Sequence, residues 1–191
     1  MPRKVDHQER RTRIADALMR VAAREGLEAI SLRHVAAEAG CTTGMVQHHF
    51  RTKDEMMAFA MEIVRERSEA RINAAMAALG PDAGARAQLR TLIMALLPLD
   101  DASREAGRVA LAFMAYAAVR PEATAFLREG TPTMIGYVAS QLPHGTAERA
   151  AGLLSMMEGL GMYLLGDHLS PDLAVAALDT HLDLLWAPPV R

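Results

Sequence analysis

Cysteine is almost missing from this 191-residue chain: Cys41 stands alone, so no internal disulfide can form. The N-terminus has no apolar signal core, and together these features make a reducing cytoplasm the expected compartment. Aromatic residues are scarce, at 4% with a single Trp, while Ala, Leu and Met are plentiful, a balance that favours helix. No run of 18 apolar residues is free of charges or breakers, so no membrane span is expected. Strand-like alternation, internal repeats and low-complexity segments are also missing. Hydrophobic residues make up 51% of the chain, which excludes a disordered polymer and leaves a globular, all-helical protein.

Catalytic signatures are missing too. There is no Gly-rich phosphate loop after a strand, no G-x-S-x-G elbow and no H-E-x-x-H. Asp100-Asp101 is a carboxylate pair, but it lies at a Pro-flanked helix junction, where a helix N-terminus attracts acids for dipole reasons alone. His48 and His49 are neighbours on a helix, about 100° apart, whereas two metal ligands on one helix need a spacing of three or four. His34 lies on a different helix, and no cysteine cluster supports it. We expect no enzyme, metal or cofactor.

Charge is unevenly placed. The chain has a net charge of −2, yet residues 1–53 carry ten Lys and Arg against six Asp and Glu, and the remainder eleven against seventeen. A basic head on an acidic body is expected where one part meets phosphates and the other does not; chance surface variation gives the same asymmetry.

The stretch Ser31–Lys53 organises the rest. Ser31 caps a short helix with Leu32, Val35, Ala36 and Ala39 on one face. Gly40 suits a left-handed helix stop, Cys41 and Thr42 make a turn, and Thr42 caps a second helix over 43–50. Val46 and Phe50, four apart, point inward, leaving Thr43, Gly44, Met45, Gln47 and His48 outward. Two short helices across a tight turn make a helix-turn-helix, whose second helix fits the major groove. The outward set suits base edges better than a core. Cys41 reads as a small buried apolar residue of the turn, or else as a redox sensor.

This stretch resembles the DNA-binding segment of the TetR family of bacterial repressors, whose pattern runs loosely G-V-S-x-G-x-L-Y-Y-H-F-x-S-K-E-x-L. Gly40, Gly44, His49, Phe50 and Lys53 match outright, Cys41, Thr42, Val46 and Thr52 are mild replacements, and Gln47-His48 replaces two tyrosines. The run from Thr42 to Phe50 is also similar to the BetI-like branch, a hint toward metabolic control. The resemblance implies a homodimer that binds a palindromic operator and releases it when a small molecule binds the body. By residue, Thr43, Gln47 and His48 would read bases with Arg33 entering from the preceding helix. Gly44 and Met45 lie on the same face. Thr42, His49, Thr52 and Lys53 would anchor phosphates.

Around this core the chain divides at residue 52: a head over 1–52 and a sensing and dimerising body over 53–191. Residues 1–5 read as a loose arm, followed by a bracing helix with Asp6 and Glu9 at capping-box spacing and Ile14, Leu18 and Val21 inward. Arg10, Arg11 and Arg13 either reach phosphates or form a solvated face. A long helix from Lys53 to Leu79, stopped by Gly80-Pro81, spans roughly 40 Å and is the natural lever between the two parts. Five helices follow: 84–97, 102–120, 121–142 with a bend near Gly130-Thr131-Pro132, 146–167 and 170–186, then a frayed Pro-rich tail.

A pocket in the body is expected to be lined by Phe113, Tyr116, Tyr137 and Glu158. The same Met and aromatic set also reads as plain core, and Glu158 as half of an ion pair. Val175, Leu178, Leu182 and Leu185 run at 3,4,3 spacing, a seam for another helix, with small residues from Ala151 to Gly161 permitting close approach. A dimer through 146–186 follows from this and from the resemblance; otherwise both helices close the monomer core. The rival is a helical adaptor or nucleoid protein without ligand control.

Overall fold

A computed structural model describes residues 2–120 and 130–187. Among the described residues it holds nine helices and no strand. They are α1 (Pro2–Glu25), α2 (Leu32–Glu38), α3 (Thr43–His49), α4 (Lys53–Leu79), α5 (Ala85–Leu96), α6 (Asp101–Val119), α7 (Thr131–Gln141), α8 (Ala147–Leu165) and α9 (Pro171–Trp186).

Their ends follow local chemistry. Ser31, Thr42, Thr146 and Ser170 each accept a hydrogen bond from the amide three residues on, satisfying a donor that helix geometry leaves free. Gly26 and Gly80 stop α1 and α4 at φ +77° and +87°, where a side chain would be strained. The capping-box spacing of Asp6 and Glu9 does not start α1. That helix begins at Pro2, in place of the expected loose arm, because proline's fixed φ and missing N–H suit a first helical position. The expected helix 121–142 is seen only in part: Pro132 opens α7, and residues 121–129 lie outside the described residues. Most of the tail lies outside them too.

The chain forms two compact units, and the first extends past residue 52. It takes the chain through Arg67 together with α6 from Arg108 on. Leu18 and Val21 of α1, Val46 of α3, Met56 and Ala60 of α4, and Phe113 of α6 are buried in it. The second unit takes Ser68–Gly107 and the described residues from Gly130 on. Its core is built from Leu89 and Ile93 of α5, Val138 of α7, Leu153, Leu160 and Leu164 of α8, and Leu178 and Leu182 of α9.

The expected intersubunit seam on α9 is therefore corrected. Leu178 and Leu182 are fully buried inside the unit, and Val175 and Leu185 are half-buried. The 3,4,3 spacing marks the face turned to α5 and α8. Arg90 clamps α9 with two hydrogen bonds to Asp179 (2.6 and 3.0 Å), and Arg86 reaches Asp183 at 2.7 Å. The Arg90 hydrogen bonds hold Asp179 in its charged form, so it titrates below the usual carboxylate range, and Arg90 above the usual guanidinium value. The apolar side chains left in solvent lie elsewhere on the two helices: Met162, Tyr163, Leu173 and Leu184 are 49–67% exposed.

Asp100 is explained by capping. Its carboxylate accepts from the Ser103 amide at 2.7 Å while the Ser103 hydroxyl accepts from the Asp100 amide at 3.0 Å. That exchange closes the first turn of α6 and lowers the Asp100 pKa.

Candidate nucleic-acid interface

The head is assembled from the turn outward. Gly40 sits at φ +65°, and the Cys41 amide donates to the Ala36 carbonyl at 2.9 Å, closing α2. Thr42 Oγ1 then accepts from the Met45 amide at 3.2 Å and starts α3. Val46 and Phe50 are fully buried, which fixes the rotation of α3 about its axis. That rotation leaves Gly44, Met45, Gln47 and His48 exposed and Thr43 half-buried. Arg33 on α2 and Thr42 and Thr52 at the helix starts are exposed as well. An added Cβ at Gly44 would meet nothing nearer than Thr42 Oγ1 at 3.9 Å, so nothing within the fold demands glycine there.

Two of the expected anchors sit differently from free phosphate ligands. His49 is 7% exposed, and its Nδ1 has no hydrogen-bond partner among the described residues. Burial, then the charges of His7, His48, Arg10 and Arg11, hold its pKa below the ordinary imidazole value. Lys53 turns inward: its ammonium donates to the Leu27 carbonyl at 3.0 Å and lies 5.7 Å from the Tyr116 ring centroid. Desolvation lowers its pKa.

The arginines of α1 separate into distinct roles. Arg11 lies over both Phe50 and Phe59, 4.6 Å from each ring centroid, and pairs with Glu55 at 3.5 Å. It is a packing element that joins α1, α3 and α4. Sequence spacing alone had no signal for this, because the two rings come from different elements. Arg10 donates to the Met45 sulfur at 3.9 Å. Arg13 is exposed and lines a shallow cleft of about 350 Å³ with Asp16, Arg20, Glu38, Ala39 and Gly40. Arg20 and Arg24 both bind Glu38, at 2.6 and 2.7 Å, bringing its pKa down to about 2 and locking α1 to α2. Cys41 is half-buried in the turn.

The expected pocket residues are divided between the units. Phe113 and Tyr116 belong to the first, where they are 1% and 5% exposed. The Arg120 guanidinium lies 5.0 Å from the Tyr116 ring centroid and donates to its hydroxyl at 3.3 Å. Tyr137 and Glu158 belong to the second unit and are exposed. Glu158 has no ion pair among the described residues, and crowding by surrounding protein pushes its pKa up. No group of three or more His, Cys, Asp or Glu among the described residues is placed to hold a metal ion.

A helix-turn-helix with this capping and outward face matches the family model of bacterial regulatory proteins of the tetR type over residues 14–58. Residues 85–187 match the C-terminal region of the BetI-type transcriptional repressors. The chain belongs to the TetR family. It is a DNA-binding transcriptional regulator of the BetI type, and the family is one of regulators, not enzymes. It is 31% identical to the HTH-type transcriptional regulator PksA of Bacillus subtilis (strain 168) over 176 residues, 87% of this chain and 84% of that protein. A transcriptional regulator from Rhodococcus sp. RHA1 superposes with a TM-score of 0.82 at 32% identity, covering 94% of this chain and 99% of that one. The multidrug binding protein EbrR, complexed with imidazole, superposes with a TM-score of 0.68 at 25% identity, covering 95% and 98%. No helix among the described residues is long and apolar enough to cross a membrane.

Proposed function

We propose that this TetR-family regulator is a cytoplasmic, dimeric repressor that grips a palindromic operator with two copies of α3 and releases it when a small molecule enters the body. The observation that carries the DNA part is the outward face of α3, with polar Gln47 and His48 exposed while Val46 and Phe50 are sealed. Thr43, Gln47 and His48 read base edges, and Arg33 enters from α2. Gly44 and Met45 face the same groove, and the lack of an internal demand for glycine at 44 fits a backbone that DNA approaches closely. Thr42, His49, Thr52 and Lys53 hold phosphates. Footprinting on genomic fragments tests this reading: discrete protected palindromes are expected, whereas uniform coverage along the duplex favours a nucleoid-type protein.

Glutamine pairs bidentately with adenine, and one such pair is worth about 1–3 kcal/mol of discrimination. Gln47→Ala should therefore cut the ratio of operator to non-specific affinity by roughly tenfold or more while leaving the melting midpoint in place. An unchanged ratio, with only non-specific binding weakened, removes Gln47 from base reading.

Lys53 acts through its backbone. Its ammonium is used by Leu27, so the phosphate meets the amides at the start of α4, where the helix dipole already favours an anion. Lys53→Ala should lower the stability of the head by about 1.5–3 kcal/mol, the value of a hydrogen bond from a charged donor. The salt dependence of DNA binding should change by much less than the slope of about one that a lost ammonium–phosphate contact removes. A full unit of lost slope at unchanged stability would show that the ammonium moves to the DNA.

The body receives the effector. EbrR was crystallised with imidazole, a small planar molecule, and on this chain Tyr137 and Glu158 are the exposed aromatic and acidic groups we assign to the ligand. Phe113 and Tyr116, buried in the first unit, act as packing rather than as first contacts. Helices α4 and α6 each run from one unit into the other, so they relay the signal. A ligand preference of about 1.4 kcal/mol for the released state weakens operator binding tenfold, and DNA weakens ligand binding equally. A thermal-shift screen followed by operator binding with each hit tests the switch.

A further inference from the structure

Three imidazoles meet at the edge of the face assigned to DNA. His7 comes from α1, and His48 and His49 from the end of α3. The His7 and His49 ring centroids are 4.5 Å apart, and those of His48 and His49 are 5.2 Å apart. His49 is the buried member, with its orphaned Nδ1, while His7 and His48 are exposed. The charges that bear on His49 are cationic. Helix α1 contributes Arg10 and Arg11, both of which oppose a proton on His49. From α4 comes Glu55, which is engaged by Arg11 at 3.5 Å and by the Arg51 amide at 2.9 Å. Asp6 and Glu9 flank His7 in the sequence. His34, the other histidine of the head, is apart from this group, with its Nδ1 2.8 Å from the Ala29 carbonyl oxygen.

We propose that His7, His48 and His49 form one proton-linked receptor for the DNA phosphate backbone, so that DNA binding draws protons into the head. The proposal rests on the reading of the α3 face as the DNA-binding surface. Buried beside two other rings and next to two guanidinium groups, His49 resists protonation in the free protein, through desolvation first and like charge second. An arriving phosphate reverses the sign of the field. An opposite charge within about 4–6 Å favours the imidazolium, which then donates from both ring nitrogens. Between the depressed value of the free head and the raised value of the complex, binding takes up protons. Affinity must then rise as pH falls through the region near the ordinary imidazole value of about 6.5. Each proton taken up is worth up to about tenfold in affinity per pH unit within that window. The free head responds with the opposite sign. His49 is protonated more easily in the unfolded chain, so acidification below about 6.5 costs stability.

The test is fluorescence anisotropy of the full chain with a labelled mixed-sequence duplex, at constant ionic strength, from about pH 6 to about pH 8. The duplex does not titrate in this range. Wild-type Kd should rise by up to about tenfold per pH unit for each linked proton. The His7→Gln, His48→Gln double variant replaces two exposed rings and should flatten that dependence, while His34→Gln keeps it. In calorimetry the wild-type binding heat should vary with the ionisation enthalpy of the buffer, and that variation should shrink in the double variant. A normal salt slope with a pH-independent Kd overturns the linkage and leaves the DNA face standing. So does a full pH slope in the double variant. Absence of duplex binding at every pH and salt concentration overturns the reading of the face itself, and the linkage with it.

Discussion

Phe50→Ala should abolish DNA binding by unfolding the head. Phe50 is fully buried at the C-cap of α3, its amide donating to the Val46 carbonyl at 2.8 Å. Its ring centroid lies 5.5 Å from that of Phe59 on α4, and the Arg11 guanidinium lies over both rings. Truncation therefore removes the piece on which α1, α3 and α4 converge. Replacing a buried phenylalanine by alanine costs about 3–5 kcal/mol through lost transfer energy and the cavity left behind. Here the Arg11 charge also loses one aromatic face. Against a total stability of about 5–15 kcal/mol for a typical domain, that is a large share of what holds the head together. Denaturant melts followed by helical circular dichroism should show a fraction of the signal lost far earlier than in wild type. An unshifted midpoint would mean that the ring is dispensable for the head.

The second large effect separates folding from assembly. Met162→Glu with Leu184→Glu places two charges on side chains that are 52% and 67% exposed, so each subunit should keep its helices and its melting cooperativity. If these exposed apolar side chains belong to the two-fold interface, the charges meet the partner subunit there, and light scattering should show monomers at micromolar concentration. Operator affinity should then fall by roughly a hundredfold or more, because two linked heads gain about 10²–10⁴ from effective concentration. Leu182→Glu is the contrasting variant. Leu182 is fully buried within one subunit, and an unpaired charge there should unfold the body rather than dissociate it. A double variant that stays dimeric would move the interface away from these side chains. A folded, monomeric Leu182→Glu would return that residue to the seam.

The helix-turn-helix was legible because its signals are local. Ser31, Gly40, Thr42, Val46 and Phe50 act within one or two turns of themselves, so spacing suffices to read caps, stop and inward face. The same holds for Thr146, Ser170 and Pro171 at the starts of α8 and α9. The sense of the α9 stripe was not legible. Val175, Leu178, Leu182 and Leu185 announce that one face is buried, but periodicity carries no label for what buries it. Arg11 and Lys53 were opaque for a related reason. A cation near a recognition helix carries no sequence label for its partners inside the protein, and only the placement of Phe59, Leu27 and Tyr116 shows what Arg11 and Lys53 touch within the fold.

What the amino-acid sequence determined by itself is therefore the helical class, the caps at Ser31, Thr42, Thr146 and Ser170, and the outward placement of Gly44, Met45, Gln47 and His48 on α3. All of these rest on interactions between residues a few positions apart. Tertiary structure decided which apolar stripe closes the monomer and which stays open, which arginine stacks and which remains in solvent, and that His7 joins His48 and His49. It also placed Phe113 and Tyr116 with the head and Tyr137 and Glu158 with the body. The physical reason is common to all four. Each depends on side chains separated by tens of residues, and burial, aromatic stacking and like-charge crowding come into being only when the chain has brought them within a few ångströms.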